Sequence, residues 1–396
     1  MTSTSASVHP PLPSQTALAR ARWATRLQFI ALGALCGTWG AHVPSLKAHY
    51  AISEQMLSMV LLAAAVGAVL SLFVAGRIVG GLGARNASWC AALVMSLLLG
   101  IVLEYPSVAV LLPAMLLFGA SMSLFDVAIN TEGSLLESLS GRPIMSNLHG
   151  MFSVGGMAGA AIVAALLGAG MAPRMQLFGV CAAIALVVVI ASRGMLETHA
   201  GSSDGSEKAN FAWPNGLLLI IGLLIFAGMT AEGVMYDWSV LYLKQDVGLP
   251  QAQAALGYAT FSAAMALSRF GGDFLRTRYR EQALLRFGAG LATVAMAIVL
   301  ISANKWVALV GFAFVGAGLA PVAPILFSAA TRVPGVSRAA AIASVTSIGY
   351  SGFMIGPPLI GGIASATSLT VALGVVVLAS ALLYCGARYV PQTSTE

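Results

Sequence analysis

Apolar runs of about 20 residues recur along the chain, parted by short polar intervals. They fall near 24–44, 54–76, 86–104, 107–130, 146–170, 174–192, 215–240, 252–274, 283–303, 306–330, 339–364 and 368–388. About 20 mostly apolar residues suffice for one helix to cross a bilayer. The pattern therefore predicts an all-α integral membrane protein with twelve transmembrane helices. The fourth run stays compatible with helix as far as Leu139, which leaves its end open. The longest polar interval separates runs six and seven and holds a linker-like Gly/Ser-rich stretch from Gly201. It divides the chain into a tail (1–21), a six-helix half (22–192), a linker (193–214), a second six-helix half (215–390) and a short end (391–396). The tail is rich in Ser, Thr, Pro and Ala and is expected to be disordered.

Composition supports the same class. Of 396 residues 58% are apolar and only 9% charged, against about a quarter charged in soluble domains. A water-facing surface cannot be built from that inventory. The net charge of +6 would suggest nucleic acid in a soluble protein, but here the cations flank apolar runs. With twelve crossings, sixteen Lys and Arg fall on one side and four on the other, and cationic loops stay inside. Both termini are then cytoplasmic. The four cysteines, Cys36, Cys90, Cys181 and Cys385, lie within apolar runs without metal-ligand spacing, so no disulfide, metal or other cofactor is expected.

A single shift of 197 residues aligns the two halves. It matches Leu46 and Lys47 with Leu243 and Lys244, Gly119 with Gly316, and Gly155, Met157 and Gly159 with Gly352, Met354 and Gly356. Parallel repeats of this kind are a plan of secondary transporters, with the solute site between the halves. The glycine pairs let helix backbones approach closely. That closeness serves either rocking of the halves or plain packing.

These features resemble the major facilitator superfamily. The stretch from Gly76 to Arg85, with Arg77, is similar to that superfamily's glycine/arginine loop, except that Gly80 stands where an acidic residue is usual. Its second-half counterpart runs from Arg269 to Asp273. Three further stretches carry a resemblance to a bacterial inner-membrane branch related to the fucose permeases (YbjJ-like). They are Asp126 to Asn130 leading to Glu137, Gly141 to His149 with Arg142, and Glu232 to Ser239. The resemblance implies alternating-access transport, with Arg77, Arg85, Glu137, Arg142, His149, Arg269 and Asp273 as gating or cytoplasmic-loop residues. Related sugar permeases carry a carboxylate in span one, where this chain has Trp39 and His42.

Ionisable groups inside spans are expensive and usually face a cavity. Glu232 lies well inside span seven, with Tyr236 and Ser239 on its face at helical spacing and Asp237 pointing elsewhere, toward the periplasmic mouth. Glu232 is read as a proton-coupling carboxylate, or else as a structural hydrogen-bond partner. Asp126 is a second coupling candidate if span four continues to Leu139. Asn130, Trp39, His42, Tyr236 and Trp238 are the candidate substrate-binding residues. The 197 shift sets Trp39 opposite Tyr236, as two rings lining a cavity, and plain packing is the alternative reading. His42 can stand in for the missing span-one carboxylate, or simply pack. Glu137 with Arg142 reads as a salt bridge, and His149 as a partner of Asp126. Pro321, Pro324, Pro357 and Pro358 interrupt spans ten and eleven.

The expected function is secondary active transport of a small polar organic solute (sugar-, polyol- or ring-like), by proton-coupled symport, in a monomer. A proton-driven drug or metabolite exporter is the alternative. No nucleophile–base pair, zinc motif or Walker loop is present, so an enzyme or an ATP-driven pump is not expected.

Overall fold

The computed structural model describes residues 14–141, 144–197 and 216–391. Among them every regular element is helical: α1 (Gln15–His49), α2 (Glu54–Gly100), α3 (Val108–Ser140), α4 (Met145–Gly168), α5 (Pro173–Ser192), α6 (Gly216–Gln245), α7 (Gln251–Arg278), α8 (Glu281–Ser302), α9 (Lys305–Leu319), α10 (Val322–Ala330), α11 (Arg338–Ala366), α12 (Leu369–Ala372), α13 (Gly374–Gly386) and a final 3-10 turn. Nine stretches among the described residues are long and apolar enough to cross a membrane.

Three boundaries depart from the sequence reading. α1 begins at Gln15, inside the expected disordered tail, capped by the Ser14 hydroxyl, which accepts from the Ala17 amide. Residues 15–22 are Ala, Leu, Arg, Thr and Gln, mostly strong helix formers with no breaker among them. α2 joins the second and third apolar runs without a loop. At 1.5 Å per residue its 47 residues would reach about 70 Å if straight. The course changes at Gly83, whose φ of 79° is non-helical and open to glycine at little cost. α3 runs to Ser140 and is closed by Gly141 in the left-handed region, so Asp126 sits near its middle rather than at its end.

The apolar faces are held together by glycine contacts that repeat along the chain. A Cβ on Gly119 of α3 would lie 1.8 Å from the Ala64 carbonyl oxygen of α2, and one on Gly316 of α9 would lie 2.2 Å from that of Phe261 in α7. Both partners of the first contact map onto both partners of the second by the 197-residue shift. Gly155 of α4 lies against the Ile30 carbonyl of α1, and its counterpart Gly352 of α11 against Thr230 and Phe226 of α6, one residue off the shift. These glycine steps pack helices within each half. The halves themselves meet at other glycines. Gly40 abuts the Tyr258 ring, Gly150 the Phe270 ring, and Gly361 lies against Ser58.

Candidate functional site

α6 carries two carboxylates five residues apart, which sets them about 140° apart around the helix at 3.6 residues per turn. They consequently serve different neighbours. Glu232 is ion-paired with Arg269 of α7 at 3.2 Å, and the two side chains are 18% and 13% exposed. Arg269 also donates from Nη1 to the Ser153 hydroxyl of α4 at 2.9 Å. One guanidinium thus ties two second-half helices to a first-half helix. The ion pair is sheltered enough that losing either charge strands the other.

Asp237 turns to α1 and α11. Its carboxylate interacts with the Trp39 side chain and helps line a recess between α6 and α11 with Thr230, Trp238 and Phe353. On the facing side, Asn130 Nδ2 donates to Asp126 Oδ1 at 3.0 Å and to its backbone oxygen at 2.9 Å. Cys36 of α1 lies within electrostatic range of both Asp126 and Asp237, and Tyr350 of α11 within range of Asp126. Asp126, Asn130, Glu232, Tyr236 and Asp237 are all half-buried. They lie mid-helix and yet keep exposure, as polar groups lining an opening do.

Aromatic rings complete this interior. Tyr236 packs on Tyr258 and Phe261, both at 5.2 Å between ring centroids. Its hydroxyl points to the Met265 sulfur at 3.4 Å and interacts with Glu232. Trp39 is tilted on Phe118 at 5.7 Å. Trp39 also meets Asp237, the residue after its repeat counterpart Tyr236.

The remaining candidates scatter. His42 is 1% exposed, with Nδ1 on the Thr38 carbonyl at 2.9 Å, and it faces Gln176 of α5. Both of these contacts are with first-half helices, α1 and α5. Arg269, grouped with loop residues by the resemblance, is inside α7. Arg77 is exposed on α2, and Arg85 pairs at 2.6 Å with Glu197 beyond α5. Glu137 accepts from the Ile144 and Met145 amides at 2.7 and 3.1 Å, which caps the start of α4. Arg142 lies outside the described residues, as does the Asp273 side chain. His149 packs edge-on to Phe29 and lies near Arg269, rather than on Asp126. Sequence reasoning missed Ser153, Thr230, Cys36 and the inward role of Asp237. For Asp237 the signal was present, since five residues of helix turn it to a second interior face. Among the described residues no three His, Cys, Asp or Glu side chains gather as metal ligands.

The comparisons agree with this architecture. A sequence profile described as Major Facilitator Superfamily matches residues 27–351. An uncharacterised MFS-type transporter of Yersinia pestis is 34% identical over 366 residues, covering 92% of this chain and 94% of that one. Membrane protein MosC of Rhizobium meliloti is 30% identical, covering 92% and 89%. In fold, the chain is similar to a bacterial homologue of the human lysosomal transporter Spinster (TM-score 0.73, 14% identity, covering 97% of this chain and all of that one). It is also similar to the MFS transporter FucP (TM-score 0.65, 16% identity, 94% and 99%). The Yersinia pestis relative, the Spinster homologue and FucP are transporters and not enzymes. On the profile match, the full-length relatives and the shared fold, this chain is a multi-pass membrane transporter and belongs to the Major Facilitator Superfamily.

Proposed function

We propose that the chain is a secondary active transporter that moves a small polar organic solute, sugar-, polyol- or ring-like, across the bacterial inner membrane by alternating access with proton symport. In this reading the helices make twelve crossings. α2 supplies two of them, on either side of Gly83, and α9 with α10 and α12 with α13 supply one each. Residues 22–192 and 215–390 are the two halves, 193–214 is the linker, and both termini are cytoplasmic.

The observation that carries the reading is the Glu232–Arg269 pair reaching Ser153 across the halves, beside the half-buried Asp126 and Asp237. A carboxylate that exchanges its Arg partner for a proton would free Arg269 from α6 and leave the guanidinium held by Ser153 of α4 alone, and so couple protonation to the contact between the halves. Asp126 and Asp237 flank the space where a solute with hydroxyl groups can bond, while Trp39 and Tyr236 offer ring faces. The opposite end of the interface is held shut by Gln251 of α7, which donates to the Ala41 carbonyl and the Ser45 hydroxyl of α1.

The test is solute uptake into proteoliposomes under an imposed pH gradient. Wild type accumulates the solute, and Glu232→Gln keeps exchange of solute for solute but loses accumulation. If Glu232→Gln accumulates solute as wild type does, Glu232 is not the coupling group.

A further inference from the structure

Where α1 and α6 end, the two halves frame a recess of about 340 Å³, within the ~300–1,000 Å³ usual for small-molecule sites. Pro44, Lys47 and Ile52 line it from the first half, and Leu241, Lys244 and Gln245 from the second. It shares no residue with the interior around Glu232 and Asp237. Lys47 and Lys244 occupy the same position of the 197-residue repeat, and so do Glu54 and Gln251, the first residues of α2 and α7. Lys47 Nζ pairs with Glu54 Oε1 at 2.8 Å, and Lys244 Nζ donates to Gln251 Oε1 at 3.2 Å. The repeat is thus kept in geometry and broken in charge. An acid stands in the first half and a neutral amide in the second.

That exchange leaves a cation without a counter-charge. Lys244 is half-buried and within electrostatic range of Lys47, and among the described residues no acid pairs with it. Asp246, two residues on, accepts instead from the Thr370 amide and hydroxyl at 2.8 and 2.6 Å. Glu54 is held by Lys47 and interacts with Gln245. The Gln251 amide nitrogen is engaged by Ala41 and Ser45. Closing this end brings two ammonium groups together against their mutual repulsion, with one carboxylate between them. An ammonium group has three protons to donate, so anionic oxygens set between the lysines would relieve the repulsion and be bonded by both. A cation would add to the surplus, and a neutral polar solute would leave it standing. Pro44, Ile52 and Leu241 offer the remaining wall to carbon.

We propose that this recess is a binding site for a small organic anion, whose carboxylate or phosphate bridges Lys47 and Lys244 while its carbon part rests on Pro44, Ile52 and Leu241, and that its binding holds this end of the molecule closed. The lysines belong to different halves, so the bridge exists only while the ends of α1 and α6 are together. An anion that binds the closed form alone lowers the open population about ten-fold at ten times its Kd. The site needs neither a transported solute nor a coupled proton, and it stands whether or not Glu232 is the coupling group.

The test uses the full chain without its four native cysteines, carrying Ser45→Cys, in phosphatidylcholine nanodiscs, with n-butyl phosphate as the probe. Labelling by an uncharged polyethylene glycol maleimide reports opening of this end and adds no charge of its own. The expected result is labelling slowed about ten-fold at ten times the Kd of the probe, and no slowing by sodium chloride at matched ionic strength. Lys244→Gln removes one ammonium group, whereas Gln251→Glu keeps both and supplies the acid that the second half lacks. By calorimetric titration of the chain with its native Ser45, each should weaken probe binding about ten-fold. Unchanged affinity in both variants overturns the site, as does equal slowing by chloride or no binding to wild type. Binding that leaves the labelling rate unchanged overturns the hold on this end. Phosphatidylglycerol in the nanodiscs tells the two sources of the anion apart. If it slows labelling unaided and competes with the probe, the natural occupant is a lipid headgroup; slowing by the probe alone assigns a soluble anion.

Discussion

Arg269 of α7 faces Glu232 of α6 at 3.2 Å while its second terminal nitrogen holds Ser153 of α4. The guanidinium is therefore shared between an acid of its own half and a hydroxyl of the other. Removing one partner of a sheltered pair leaves an uncompensated charge at a cost of about 3 kcal/mol, whereas removing both costs much less. Glu232→Gln and Arg269→Gln should each lower Tm well below wild type, and the double variant should recover most of the loss. Thermal unfolding of the four proteins in one detergent forms the cycle. Additive losses in the double variant would show that the two side chains do not act as a pair.

The glycine contacts of the two halves predict matched behaviour. Gly119→Ala and Gly316→Ala each push a Cβ against a backbone oxygen, at 1.8 and 2.2 Å, and backbone cannot swing aside as a side-chain tip does. Both should destabilise by ~1–3 kcal/mol through overpacking. Gly362→Ala in α11 meets open space, and an alanine there favours helix by about 0.5–1 kcal/mol. Yield and Tm of the three variants check this ordering. A neutral Gly316→Ala would break the correspondence between the α2–α3 and α7–α9 contacts.

Much of this architecture was legible in the sequence because apolar length and repetition are local signals. The runs near 146–170 and 174–192 become α4 and α5 directly, and the 197 shift found in Gly119 and Gly316 reappears as two equivalent contacts. Helix continuity was less legible. A polar glycine/arginine stretch such as Gly76 to Arg85 reads as a loop, yet nothing in it except Gly83 leaves helical geometry. The interior was read by face, and Glu232, Asp126 and Asn130 were found that way. Face assignments need to know how many neighbours a helix has. α6 lies between α7 on one side and α1 and α11 on others, so Asp237 could be turned away from Glu232 and still point inward. His42 shows the opposite case: α1 is buried all round in its central turns, and a polar residue there can meet its own half.

Two ion pairs of similar length should differ in worth. Arg85 and Glu197 are 2.6 Å apart, but Glu197 is 85% exposed, and such pairs contribute little in water. Glu281, at the start of α8, is 8% exposed and bridges Arg276 at 2.6 Å and Arg332, which follows α10. It thereby ties the ends of α7, α8 and α10 together. Glu197→Gln should leave Tm unchanged within error, and Glu281→Gln should lower it by an amount corresponding to ~3 kcal/mol. Raising the salt concentration should affect neither comparison much, since the Glu281 cluster is poorly reached by ions. Equal and small effects of the two substitutions would remove the α7–α8–α10 clamp.

Alternating access requires that the contact at the Lys47 end can open, and that contact is narrow. Gln251 Nε2 donates to Ser45 Oγ at 2.6 Å and to the Ala41 carbonyl at 3.1 Å, while Lys244 Nζ holds the Gln251 side-chain oxygen at 3.2 Å. At this end one side-chain amide hydrogen-bonds α7 to α1, with Lys244 of α6 fixing its orientation. Gln251→Ala removes both cross-half bonds and leaves Ser45, now 7% exposed, to face water whenever the end parts. In a background without the four native cysteines, Ser45→Cys should react slowly with a membrane-impermeant maleimide, and several-fold faster once Gln251→Ala is added. Because Gln251 is remote from Glu232, the same variant should shift the balance of conformations without abolishing solute binding. Equal labelling rates with and without Gln251→Ala would mean that the amide does not hold this end closed. The gate would then have to be sought at the neighbouring Ser58–Gly361 contact between α2 and α11.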